Sequence, residues 1–227
     1  MLQLHSSAIV TPGAKVGDFT SIWHFCRIRE RAVIGENRNL GQNVYVGNEA
    51  VVGNSWRSGN SVSISSHVEL GDLVFCAPFM VFTHISFPRA AVNHRAAFLK
   101  PIVQTGASLG ENFMVVPVTV GRGTFLAAGS TLTKGSKDWS LMLGSPARQS
   151  GWVSAYRERL SLPTGSGEWM RKHSGDVYVL EDSILARQPG QNDILKYVFG
   201  EKQKRVQSEA KSICTPLVSG SDCGAGG

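Results

Sequence analysis

Apolar residues recur along the first half of this chain with a period of six, which suits neither a helix nor a flat strand. From Val10 the beat passes through Val16, Ile22, Ile28, Ile34, Leu40, Val46, Val52, Ser58, Ile64, Leu70, Cys76 and Phe82, and only Ser58 is not apolar. Glycine follows the beat at 17, 35, 41, 47, 53, 59 and 71. Two residues before it the side chain is often small, as at Ala8, Ala14, Thr20, Cys26, Ala32 and Ala50. Repetition this short predicts an all-β solenoid. Each hexad supplies a short extended segment with one aliphatic side chain inward. Three hexads close a triangular coil, and coils stack at the inter-strand spacing of about 4.8 Å. Val10 then rests on Ile28, Val46, Ile64 and Phe82, and about six coils result. The glycines are read as corner residues that relieve unusual dihedrals.

The beat fails in three places. Trp56 falls in a small slot and Ser58 in an inward slot, which predicts a strained coil. Residues 83–106, THISFPRAAVNHRAAFLKPIVQTG, leave the register for longer than a turn requires, so an arm is expected from one corner. The beat resumes at Leu109, then takes five residues instead of six from Val115 to Val120, leaving one residue short beside Pro117. The expected organisation is a β-helix over 1–146 with its excursion loop at 83–106. An appendage over 147–199 follows, with a short helix at Trp152–Leu160 and a hairpin or flap over 168–182. Residues 200–227, polar and then rich in glycine and serine, have the composition of a disordered tail.

The net charge of +6 favours anionic partners. The basic residues are scattered and form no stripe, which argues against nucleic acid. No apolar run is long enough to span a membrane, and the N-terminus does not read as a signal peptide. The four cysteines match no metal spacing, and reduced thiols in a cytoplasmic protein are the simplest reading.

The hexads, the excursion and the closing Gly144-Ser145-Pro146-Ala147-Arg148 together resemble the left-handed β-helix acyltransferases. The phrases IWHFCRI (22–28), LGQNVYVGN (40–48), VFTHISFPRA (81–90), GASLGENF (106–113), FLAAGSTLTK (125–134) and GSPARQSGWVS (144–154) are similar to the nucleotide-sugar N-acetyltransferases of that group. Those enzymes acetylate a UDP-3-amino sugar for bacterial surface polysaccharide such as O-antigen. The resemblance spans about 1–162. It implies a left-handed coil, a homotrimer, and acetyl-CoA lying between neighbouring prisms with its pantetheine near Ala127, Ala128 and Ser130. It implies that the loop 83–106 wraps the sugar. The sugar amine is the nucleophile, so the site must accept a proton and steady an oxyanion.

His84, at the mouth of the loop, is the candidate for the proton. Relatives carry Asn at the matching place, while other sugar N-acetyltransferases of this fold use a His base, so base and positioning group both stay open. Gln42, Asn60, His67 and Arg89 are candidates for the sugar nucleotide, and Lys134 and Arg148 for the coenzyme phosphates. His24, Gln42 and Asn60 share one corner slot 18 residues apart and could equally form a polar ladder between coils. Arg95 on the same arm could join Arg89 in gripping a carboxylate or diphosphate; Arg89, Arg95, Lys134 and Arg148 could equally be solvated, and Trp152 and Tyr156 read as packing. Two rival readings remain. One is a trimeric scaffold with a weakened or dead cleft, suggested by the faults at 56–67 and 115–120. The other is a zinc hydration enzyme using His67, His84 and His94; no motif phrase supports it, and no metal site is expected.

Overall fold

The computed structural model describes residues 1–83, 89, 91, 100–111, 114–115, 118–161, 166–172, 174–191 and 193. His84, His94, Arg95, most of the excursion, Pro117 and the 200–227 tail lie outside them. All regular structure among the described residues is β, and the strands join three parallel sheets in rotation. The first wall starts at Gln3–Leu4 and ends at Ser140–Leu143 with its C-terminal continuation; the second runs from Ile9–Val10 to Thr131–Leu132; the third runs from Lys15–Val16 to Thr119–Val120. This makes about seven turns. The turn beyond the hexad count comes from Gln3–Leu4, which precedes the apolar beat, and Ser140–Leu143, which follows it.

Stacking follows the expected register. Val10 pairs with Ile28, Ile28 with Val46 and Val46 with Ile64, each in parallel. The inward residues Ile28, Leu40, Val46, Ile64, Leu109, Val120, Leu126 and Leu132 are completely buried. Each contributes on the order of 1.5–3 kcal/mol by leaving water. The residues two before them, among them Cys26, Ala32, Val44, Ala50, Val62 and Val68, are buried as well and complete the core.

The coil at 56–58 is not interrupted. Arg57 and Ser58 pair in register with Asn39 and Leu40 below and with Phe75 and Cys76 above. Trp56 is fully buried, and its indole N–H lies 3.3 Å from Cys76 Sγ. Cys76 stacks directly on Ser58, so the large ring occupies the space that two small inward residues leave. The Ser58 hydroxyl accepts from the Gly41 N–H at 3.2 Å. The two departures therefore compensate one another. Arg38 is buried in the slot one turn below, hydrogen-bonded to the Asn37 carbonyl and to Asn54 Oδ1. Burial pulls its pKa down to about 10, against the opposing pull of Asp72 and Glu36.

The role expected of the glycines needs correction. Gly17, Gly41 and Gly53 do not have positive φ. A Cβ on Gly53 would come 2.5 Å from the backbone carbon of Gly71, and one on Gly41 would come 2.6 Å from the Gly59 carbonyl oxygen. These glycines let adjacent turns touch. The left-handed residue lies two further on and is usually not glycine: Phe19, Phe25, Arg31, Asn37, Asn43, Glu49, Ser55, Ser61, His67, Leu73 and Phe79 all have φ between 54° and 63°.

The excursion leaves the second wall after Val81–Phe82 and the chain rejoins the third wall at Ile102–Val103. The short step from 115 to 120 joins the same two walls one turn later. Val103 still pairs with Val120, and Val115 with Leu132, so the register of both walls is kept across the short step. The excursion and the short step thus fall on one edge of the prism, whereas the departure at 56–58 lies on the first wall.

The helix expected at Trp152–Leu160 is absent. Arg148–Val153 instead pairs antiparallel with Ser140–Leu143 and with Arg159–Leu160. The Ser154 hydroxyl accepts from the N–H groups of Tyr156 and Glu158, and Arg157 takes φ +65°, so the chain reverses before a helical turn can propagate. Trp152 packs with Trp139, Leu160, Tyr178, Leu180 and Leu185 in a second small core, where the Tyr178 hydroxyl accepts from the Ala155 N–H at 2.7 Å. Gly167–Met170, Val177–Glu181 and Ile184–Gln188 form a three-stranded sheet, with left-handed Asp182 and Ser183 at its hairpin turn. The described residues divide between two compact units, 1–169 with 178–187, and 170–177 with 188–193. In the second, the Asp176 carboxylate accepts from the Gly190 N–H at 2.8 Å.

Candidate functional site

The sequence-derived candidates fall on two different edges. Gln42, Asn60, Ala127 and Ala128 lie where the first wall turns into the second. His67 and Lys134 lie where the second turns into the third, the edge from which the excursion departs. One wall separates these edges, a span on the order of 15–20 Å for five or six extended residues. Arg89 and Arg148 are exposed, and the Arg148 guanidinium donates to the Ala147 carbonyl at 3.1 Å. His84 lies outside the described residues.

On the first edge, Asn60 Oδ1 accepts from the Gln42 N–H at 3.0 Å, so this pair is a rung of a ladder between turns. The same device recurs where Asn54 Oδ1 accepts from the Glu36 N–H. Both side chains remain exposed. The His24 ring packs against His5, with ring centroids 3.6 Å apart and the planes tilted by 32°. Higher on this edge the corner is nearly bare: Ala128 and Gly129 are exposed, and nothing stands within 4 Å of where a Cβ on Gly129 would be. A slender chain could lie along that backbone.

The second edge carries the charge. After Gly13 its left-handed corner residues are Arg31, Glu49 and His67, one per turn. Arg31 Nη2 lies 2.6 Å from Glu49 Oε1, and His67 Nδ1 lies 3.3 Å from Glu49 Oε2. The next turn up is the mouth of the excursion. Its exit is tied down by Ser65, whose hydroxyl donates to the Phe82 carbonyl. Its return is tied by Lys100, whose ammonium meets Glu69 at 2.5 Å. Ser65, His67 and Glu69 alternate along one corner, so the two roots of the excursion flank His67. Arg31, Glu49, Ser65 and Glu69 escape a reading of the inward beat; the 18-residue step taken from the corner, 31, 49, 67, finds the first two, and Ser65 and Glu69 lie two residues to either side of its last member.

Cys26 and Cys76 are free thiols inside the coil. Burial raises the pKa of both, Cys76 to about 12, so neither offers a thiolate near neutral pH.

No family model matches the chain. It is 37% identical over 160 residues to the dTDP-3-amino-3,6-dideoxy-α-D-galactopyranose 3-N-acetyltransferase of Aneurinibacillus thermoaerophilus, an alignment covering 70% of this chain and 82% of that protein. Among solved structures it is similar to an N-acyltransferase from Bacillus cereus in complex with dTDP and 3-hydroxybutyryl-CoA, at TM-score 0.45 and 15% identity over 68% of this chain and 81% of that one. It is also similar to a maltose O-acetyltransferase from Clostridium difficile 630, at TM-score 0.45 and 20% identity over 52% and 67%.

Proposed function

We propose that this chain, which belongs to the nucleotide-sugar N-acetyltransferases of the left-handed β-helix class, moves the acetyl group of acetyl-CoA onto the 3-amino group of a sugar carried by a pyrimidine nucleoside diphosphate. The observation that carries this reading is the 37% identity to a sugar 3-N-acetyltransferase over most of both chains. The motif phrases of the first 160 or so residues point to a UDP-linked amino sugar, and the Aneurinibacillus protein acts on a dTDP-linked one. The shared chemistry is a 3-amine on a pyrimidine-nucleotide sugar. Supply of an amide-bearing sugar for surface polysaccharide, a cytoplasmic location and a homotrimer belong to the same reading.

The amine nitrogen attacks the thioester carbonyl carbon. A C–N bond forms, the C–S bond breaks, the nitrogen loses one proton and the departing sulfur gains one. The enzyme supplies no nucleophile; its tasks are orientation and proton handling. The small corner at Ala127, Ala128 and Gly129 suits a pantetheine arm, with Lys134 and Arg148 for the coenzyme phosphates. Gln42, Asn60 and Arg89 are assigned to the sugar nucleotide, and His84 to the proton. Because the candidates occupy two edges of one prism, a cleft between neighbouring chains brings them together more economically than any path within one chain.

The test is release of free coenzyme thiol, followed colorimetrically over a panel of UDP- and dTDP-linked 3-amino and 4-amino sugars. Turnover is expected with a 3-amino sugar on one of the two nucleotides. Silence across the panel would sink the reading. His84→Ala should lower kcat by about 100-fold, the lower end for loss of a general base, with the oligomer intact; an unchanged rate removes His84 from the site.

A further inference from the structure

The edge where the first wall turns into the second carries Ala127 and Ala128 near its top and Gln42 and Asn60 at mid-height. One turn below Gln42 the same corner is Trp23-His24-Phe25. Each ring of this trio is held separately. The Trp23 indole N–H donates to Asn39 Oδ1 on the next turn at 2.7 Å. The Phe25 N–H donates to the Ser7 hydroxyl on the turn below at 3.0 Å. His24, between them, packs against His5, whose Nδ1 accepts from the Ser7 N–H at 3.2 Å. The centroid of the His24 ring lies 6.4 Å from that of Trp23, with the planes 14° apart, and 6.1 Å from that of Phe25. The three rings therefore make one ledge across the corner.

Stability does not account for the ledge. Trp23 and Phe25 stay 49% and 68% exposed, so much of the gain from burying a large ring is forgone. Phe25 also takes φ +57°, a backbone region that disfavours bulky side chains. Phe19 takes φ +56° on the edge between the third and first walls, so the backbone by itself marks no site; the joined and anchored rings do. Aromatic rings fixed on one side and exposed on the other are a platform for a planar ligand, and every nucleobase offers the π-face that stacks on them.

Placement selects among planar ligands. Turns are about 4.8 Å apart, so the ledge lies about 10 Å below Asn60 and about 24 Å below Ala128. Coenzyme and sugar nucleotide meet at the reacting amine, and each carries its base at the end remote from it. With the pantetheine at the top of the edge and the diphosphate at Gln42 and Asn60, the base that reaches the ledge is the pyrimidine. We infer that Trp23 and Phe25 form the platform on which the pyrimidine of the sugar nucleotide stacks, with His24, packed against His5, holding the two rings apart. The inference rests on the acetyltransferase reading and adds to it the end of the site that receives the base.

The experiment is calorimetric titration of the full-length protein with UDP and with dTDP, beside steady-state thiol release with the best sugar of the panel. Trp23→Leu and Phe25→Leu keep apolar bulk and remove the ring; Leu73 already holds the same backbone at φ +58°. Each should weaken the preferred nucleotide about tenfold, the value of one lost stacking contact. KM for the sugar nucleotide should rise by a similar factor, and KM for acetyl-CoA should stay within about twofold. Phe25→Tyr, which restores a ring, should bind as the wild type does. Size-exclusion chromatography with light scattering should return the wild-type oligomer for all three variants. Unchanged nucleotide affinity in either leucine variant, or a loss that tyrosine does not prevent, would overturn the inference. So would a KM rise confined to acetyl-CoA, which would place the adenine on the ledge, or dissociation of the oligomer, which would make the rings a contact between chains. A wild-type protein that binds neither nucleotide and is silent with every sugar would instead overturn the acetyltransferase reading, so the two failures are distinct.

Discussion

At the scale of single residues, the most informative position is Trp56. Its ring occupies a slot meant for alanine or valine, and the polar Ser58 stands where an aliphatic residue is expected. Each looks like a defect alone. Together they fill one volume, closed from above by Cys76. Trp56→Ala should lower stability by about 3–5 kcal/mol, measured by chemical denaturation, and adding Ser58→Leu should recover part of it. A loss below about 1 kcal/mol would mean the ring packs loosely. The same enclosure protects the thiols. Native protein at neutral pH should leave Cys26 and Cys76 unmodified by iodoacetamide, while denatured protein reacts at both. The pKa of Cys76 is raised on folding, so its protonated form is favoured there; that contribution is complete below pH about 9 and is lost as pH rises toward about 12.

At the scale of the hexad, two residues that look interchangeable have opposite requirements. Gly53 sits where a methyl group would strike Gly71, whereas Ser55, two residues on, holds φ +54° with a buried hydroxyl that has no partner. Gly53→Ala should cost about 1–3 kcal/mol through overpacking. Ser55→Gly should leave stability unchanged or raise it by up to about 1 kcal/mol, since glycine adopts the left-handed region freely. If the two substitutions behave alike in urea titrations, the assignment of strain to the corner is wrong. The apolar beat was legible in the sequence because inward packing repeats residue by residue. The division of labour within the corner was not, because it depends on how closely the next turn approaches. The C-terminal element illustrates the same limit: Trp152–Leu160 suits a helix by local preference, but Ser154 and the contacts of Trp152 with Trp139 and Leu160 select a turn and antiparallel strands.

At the scale of the whole molecule, the candidates divide between two edges, and that division makes a prediction about assembly. If each site joins the first edge of one chain to the excursion edge of its neighbour, two inactive variants can complement. Ala128→Trp should block the coenzyme path and His84→Ala should remove the proton acceptor. Co-assembled in equal amounts as cyclic oligomers, they should regain about a quarter of wild-type activity, because about a quarter of the interfaces pair two intact edges. No recovery in verified mixed oligomers would place the whole site within one chain. The amino-acid sequence alone determined the coil, its inward residues, the interruption at 83 and the enzyme family, because a six-residue beat and local phrases are properties of neighbours along the chain. Only the tertiary structure decided that the excursion and the short step lie on one edge, that Trp56 and Ser58 compensate, and that Arg31, Glu49 and His67 form a column on that edge. Those facts concern residues a full turn apart, which stacking makes neighbours and which the inward pattern does not reveal.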